Sequence, residues 1–153
     1  MVAGRQDIME QMYTAGVSFG GTFNGNPISL ACADATLEEL SRDNGQALTE
    51  ANRIGGALMD GIRRIAKRHG APVVVTGFGT AFALHFTPRP ALLQYRDTFA
   101  DDGDRLRKFL FRALQEGLYI VPDGRFYTSA VHTERELDET LNALGRVFAL
   151  ADI

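Results

Sequence analysis

Gly20-Gly21-Thr22-Phe23-Asn24-Gly25-Asn26-Pro27 runs a glycine-rich turn straight into the start of a helix. Asn26 is placed to cap that helix, and Pro27 suits its first position, where the missing N–H costs nothing. Gly20, Gly21 and Gly25 permit tight backbone conformations, so amide N–H groups can converge beside the Thr22 hydroxyl as a phosphate cradle. The same residues also serve as an ordinary helix start, and no Gly-Lys-Ser/Thr follows to make a Walker A loop.

Outward from that junction, 153 residues are enough for a domain with a core of its own. Hydrophobic residues make up 45% and charged residues 23%, a balance of globular rather than disordered chains. Sixteen basic against nineteen acidic side chains give −3, with the signs interspersed, which argues against a nucleic-acid surface. No apolar run approaches the ~20 residues of a membrane span, and no signal-peptide core opens the chain, so a cytoplasmic location without membrane contact is expected. Cys32 stands between Ala31 and Ala33 and reads as a small core residue rather than a nucleophile.

Upstream of the junction, residues 5–13 have helix-forming composition, and 14–26 read as loop. Downstream, residues 27–41 form the helix that the loop feeds. Small residues fill its first turns and Leu30, Leu37 and Leu40 add bulk, which predicts burial against something large. From Gly45 to His69, Leu48, Ala51, Ile54, Leu58, Ile62 and Ile65 recur at helical spacing, and Gly70 with Pro72 closes that helix. Gly55, Gly56 and Gly61 within it predict close helix contacts.

Two strands follow, 73–76 and 81–86. In the second, Phe82, Leu84 and Phe86 form the covered face and His85 is expected to be a hydrogen-bonded structural histidine. Residues 87–103 read as an exposed excursion. Asp101, Asp102 and Asp104 lack the spacing of a calcium loop and instead suit the start of a helix over 104–116, with Leu106, Phe109, Leu110, Ala113 and Leu114 inward. A strand over 118–121, a turn at Pro122-Asp123-Gly124 and a returning strand over 126–130 complete the sheet. Thr133 and Glu136 form a capping box for the last helix, whose inward stripe is Leu137, Leu141, Leu144 and Val147. The order of elements predicts an α+β fold, a small and mainly antiparallel sheet covered by helices. No catalytic triad or metal cluster is visible.

Gly4-Arg5-Gln6-Asp7-Ile8-Met9, then Gly21-Thr22-Phe23-Asn24-Gly25-Asn26-Pro27, Ala35-Thr36-Leu37-Glu38-Glu39-Leu40 and Ser129-Ala130-Val131-His132-Thr133-Glu134 occur in the order seen in class III aminotransferases. The chain resembles the C-terminal part of such a fold-type I, pyridoxal-phosphate (PLP) enzyme, closest to glutamate-1-semialdehyde aminomutase and its relatives. The resemblance implies a division near Gly45, with 1–44 the tail of the large cofactor-binding domain and 45–153 a small C-terminal α+β domain. It implies a homodimer or higher self-association acting on a small-molecule amino acid, in which Gly21 and Thr22 reach the cofactor phosphate of the opposite subunit. It also puts Arg125 at the substrate entrance, where a guanidinium can pair with a carboxylate; a solvated arginine at a hairpin is the plainer reading of that residue.

In the resembled family a lysine just ahead of the Gly-Arg-x-x-Ile-Met segment holds the cofactor's aldehyde, and here only Val2 and Ala3 follow Met1 before Gly4. Lys67 and Lys108 are the only lysines, and both lie in charged stretches that read as solvated helix faces. The expectation is therefore a chain without a catalytic residue of its own, inactive alone. The alternative is a non-catalytic α+β module that binds a phosphate-bearing ligand or a protein partner. The hairpin around Pro122-Asp123-Gly124 is shorter than in aminomutases of the family, which weighs against glutamate semialdehyde as the substrate.

Overall fold

A computed structural model describes residues 3–18 and 20–153; Met1, Val2 and Phe19, and with them part of the expected loop, lie outside the described residues. The chain divides into two compact units, Met1–Glu39 and Leu40–Ile153.

In the first unit, the helix expected over 5–13 is two short turns, α1 (Gln6–Met9) and α2 (Gln11–Thr14). The break is at Glu10, whose amide bonds Gln6 O while its own carbonyl accepts from Tyr13 and Thr14. α3 (Pro27–Ser41) begins where the sequence places it. Asn26 Oδ1 accepts from the Ser29 amide at 3.0 Å, which satisfies one of the orphan donors of the first turn. None of α1, α2 and α3 has a buried residue, and Cys32, expected in a core, is exposed with the rest of α3.

The second unit opens with α4 (Gln46–His69), preceded by a one-turn 3-10 segment at Arg42–Gly45. Asp43, Asn44 and Gly45 all have positive φ, so the chain is redirected where α3 ends. Five of the six stripe residues of α4 are buried; Leu48, in the first turn, is exposed. The helix ends at Gly70, left-handed at φ 67°, with the Ala71 amide closing onto Ala66 O at 3.0 Å.

β1 (Val73–Phe78) and β2 (Ala81–Phe86) form an antiparallel hairpin with Val75 opposite Leu84. β3 (Arg125–Tyr127) adds to the other side of β2 with Phe126 opposite Phe82, their rings stacked 5.0 Å apart. The sheet is therefore three antiparallel strands in the order β1-β2-β3. Phe82, Leu84 and Phe86 are buried, as period-two alternation requires.

α5 (Gly103–Gln115) and α6 (Glu134–Phe148) complete the layer with α4. Phe109 meets Phe86 edge-on at 5.5 Å and Phe148 at 5.3 Å, and Leu144 and Val147 of α6 are fully buried beside them. Gly61 lets α6 approach, because a Cβ there would stand 2.3 Å from Leu141 Cδ2. Gly55 admits the hairpin, because its Cβ would stand 2.0 Å from Gly79 O. Gly56, expected to make a similar contact, faces open space.

Leu114 and residues 118–121 also depart from the expected pattern. Leu114 is 55% exposed, since the buried face of α5 is carried by Phe109 and Ala113. Residues 118–121 form no strand: the Leu118 amide caps α5 by bonding Ala113 O at 2.8 Å, and Val121 O is taken by the turn to Gly124. The returning strand pairs with β2 instead.

Candidate functional site

The glycine-rich turn before α3 is closed by the Asn24 amide on Gly21 O at 2.9 Å, and Gly25 follows at φ 72°. A Cβ at Gly21 would lie 3.1 Å from Asn24 Oδ1, so a side chain there would press on the turn. Thr22 is exposed, and its hydroxyl has no hydrogen bond among the described residues. An exposed hydroxyl at a helix-capping turn fits a phosphate, which offers acceptors to every donor around it.

Arg125 stands at the start of β3, in the other unit. Its Nη2 pairs with Asp123 Oδ2 at 2.6 Å, and its amide donates to Asp123 Oδ1 at 3.3 Å. That guanidinium holds the Asp123 carboxyl below the ordinary carboxylate range, and Asp123 in turn raises Arg125. Both partners are about half exposed, so the pair is open to competition by another carboxylate. Arg125 borders two cavities, one of about 330 Å³ reached also by His85, Tyr95 and Asp101, the other of about 260 Å³ reached by Tyr127 and His132.

His85 has the structural role its position predicts. Nε2 meets Thr76 Oγ1 at 3.0 Å and Nδ1 meets Asp101 Oδ2 at 2.8 Å. Sequence reasoning gave Asp101 to the start of α5, but that cap is Asp102, which accepts from the Arg105 amide at 2.9 Å. The available signal for Asp101 was the half-buried histidine in β2, which needed a partner from outside its own strand. His132 is a turn residue as expected, its Nδ1 accepting from the Ser129 amide at 3.1 Å. Lys67 and Lys108 are exposed on α4 and α5. Among the described residues no group of three or more His, Cys, Asp or Glu side chains is placed to hold a metal ion, and no helix is long and apolar enough to cross a membrane.

The sequence pattern of the family described as Aminotransferase class-III matches residues 1–148. The chain belongs to that family. Among solved structures, it is similar to a β-phenylalanine aminotransferase from Variovorax paradoxus, with 26% identity and a TM-score of 0.75 over 94% of this chain and 33% of that one. A glutamate-1-semialdehyde aminomutase from Pseudomonas aeruginosa, in complex with PMP, matches with 19% identity and a TM-score of 0.79 over 94% of this chain and 34% of that one. An omega-transaminase from Sphaerobacter thermophilus matches with 20% identity and a TM-score of 0.75 over 95% of this chain and 34% of that one. The last two likenesses establish the fold. This class III aminotransferase chain therefore spans about a third of the length of the structures it matches.

Proposed function

We propose that this chain is the C-terminal part of a PLP-dependent aminotransferase or aminomutase, a cytoplasmic homodimer that moves an amino group between an amino acid and a carbonyl compound. The observation that supports this most directly is the family match over residues 1–148 in a chain one third as long as its structural relatives. Residues 1–44 then belong to the tail of the large domain and 45–153 to the small one. When bound, the cofactor supplies an electron sink for charge developing on the substrate.

This chain's own contributions are binding and orientation. Gly21 gives the turn its close approach, and Thr22 donates its hydroxyl proton to a phosphate oxygen of the cofactor held by the opposite subunit. Arg125 exchanges Asp123 for a substrate carboxylate at the entrance. The cofactor's covalent anchor is a lysine other than Lys67 and Lys108, since a reactive amine needs a desolvated setting and both of these are exposed. The exposed apolar side chains Ile28, Leu30 and Leu37 of α3 are surface that the large domain covers.

The polypeptide mixed with PLP, an amino donor and a 2-oxo acid is expected to give no transamination. Turnover accompanied by reducible imine formation at Lys67 or Lys108 overturns the assignment.

A further inference from the structure

Between β2 and α5 the chain leaves the sheet at Thr87 and returns at Asp102. Both ends are tied by backbone: Thr87 N donates to Pro72 O at 2.8 Å and Asp102 N to Phe86 O at 2.7 Å. Between these ties the segment holds itself together. Asp97 Oδ2 accepts from the amides of Leu93 and Gln94 at 2.9 and 3.1 Å, Arg89 pairs with Asp97 Oδ1 at 3.3 Å, and Tyr95 and Phe99 meet edge to face at 5.4 Å. Burial does little to fasten it, because Leu93, Tyr95 and Phe99 are 90%, 79% and 71% exposed. Among the described residues its side-chain hydrogen bond to the sheet is from Asp101, to His85, whose other ring nitrogen meets Thr76.

We propose that residues 88–102 form a strap that opens as a unit, hinged at Thr87, over the cavity of about 330 Å³ beside Arg125, and that the Asp101–His85 hydrogen bond is the clasp whose loss lets the adjoining Asp102–Phe86 backbone bond part. Three features point the same way. The strap is internally ordered, so it moves without unfolding. It buries little apolar surface, which is the condition for low-cost local opening. Asp101 Oδ1 is buried and meets no donor among the described residues, so the closed position leaves half of that carboxylate unsatisfied and opening returns it to water. Tyr95, Thr98 and Asp101 line the cavity from the strap, and Ala83, His85 and Arg125 line it from the sheet, so opening widens access to the arginine. The clasp does not depend on Arg125 binding a substrate, and its test is separate from any activity.

Amide hydrogen exchange on the chain and its Asp101→Ala variant provides that test. The Asp102 amide, bonded to the sheet next to the clasp, is expected to lose protection by about tenfold or more, the effect of removing one hydrogen bond to a charged group. The Leu93 and Gln94 amides, bonded within the strap, are expected to keep theirs, as are the amides paired between β1 and β2. His85→Gln should reproduce the pattern. Unchanged protection at Asp102 in both variants removes the clasp. Loss at Leu93 and Gln94 together with Asp102 shows unfolding in place of hinged opening and equally overturns the proposal.

Discussion

α3 and α4 are neighbours in sequence, both are helices, and both carry many apolar residues, yet α4 buries nine residues and α3 buries none. The difference lies in pattern. α4 confines its apolar side chains to one stripe and sets charge opposite, so the unit it belongs to covers that stripe from Ala51 onward. α3 spreads Ile28, Leu30, Cys32, Leu37 and Leu40 over several sides, with Asp34, Glu38 and Glu39 among them, so no single neighbour can cover its apolar side chains. Under the proposed function, this uncovered surface is where α3 would meet the rest of the family fold, of which the chain spans about a third.

The contrast predicts a graded response to mutation. Phe109→Ala, at the fully buried meeting point of α5, β2 and α6, should cost about 4 kcal/mol in urea unfolding. Gly55→Ala should follow at about 3 kcal/mol, because the new methyl meets the Gly79 backbone, which cannot turn aside as a flexible side chain would. Leu37→Ala, 63% exposed on α3, should stay within about 0.5 kcal/mol. A Leu37→Ala loss comparable to that of Phe109→Ala would show that α3 has an enclosed environment after all, and the comparison would fail.

An effect between those of Gly55→Ala and Leu37→Ala sharpens the picture of the second unit. The Thr133 hydroxyl and amide, with Arg135, hold the Glu136 carboxyl down from 4.5 to about 2. Because the folded value is the lower one, the stabilisation is present above pH 4.5 and is lost as pH falls toward 2. Thr133→Ala should cost about 1 kcal/mol at neutral pH, and Glu136→Gln should flatten the acid limb of a stability–pH profile between those values. An acid limb unchanged by Glu136→Gln would assign it to other carboxylates.

Local chemistry made much of this fold legible. Asn26-Pro27, the Thr133 and Glu136 box, Gly70 and the alternation through Phe82, Leu84 and Phe86 each carry their geometry in residues close together in sequence, and each stands where its residues place it. What sequence reasoning misplaced depended on distant choices. Leu118 to Val121 have good strand composition, but whether they pair is decided by a neighbouring strand, and the Leu118 amide is taken by the end of α5. Asp101 looks like one of three helix-start acids until the fold brings His85 beside it. The candidate site was legible as chemistry only: Thr22 and Arg125 are groups that suit a phosphate and a carboxylate, and nothing local says which molecule reaches them.

A PLP titration decides whether Thr22 serves a cofactor phosphate, as proposed. The chain is joined to the remaining two thirds of the family fold, and the dissociation constant is measured for the native sequence and for Thr22→Val. Loss of a hydrogen bond to a charged group predicts weakening by about tenfold or more. An unchanged constant, in a variant that still assembles, would contradict the account.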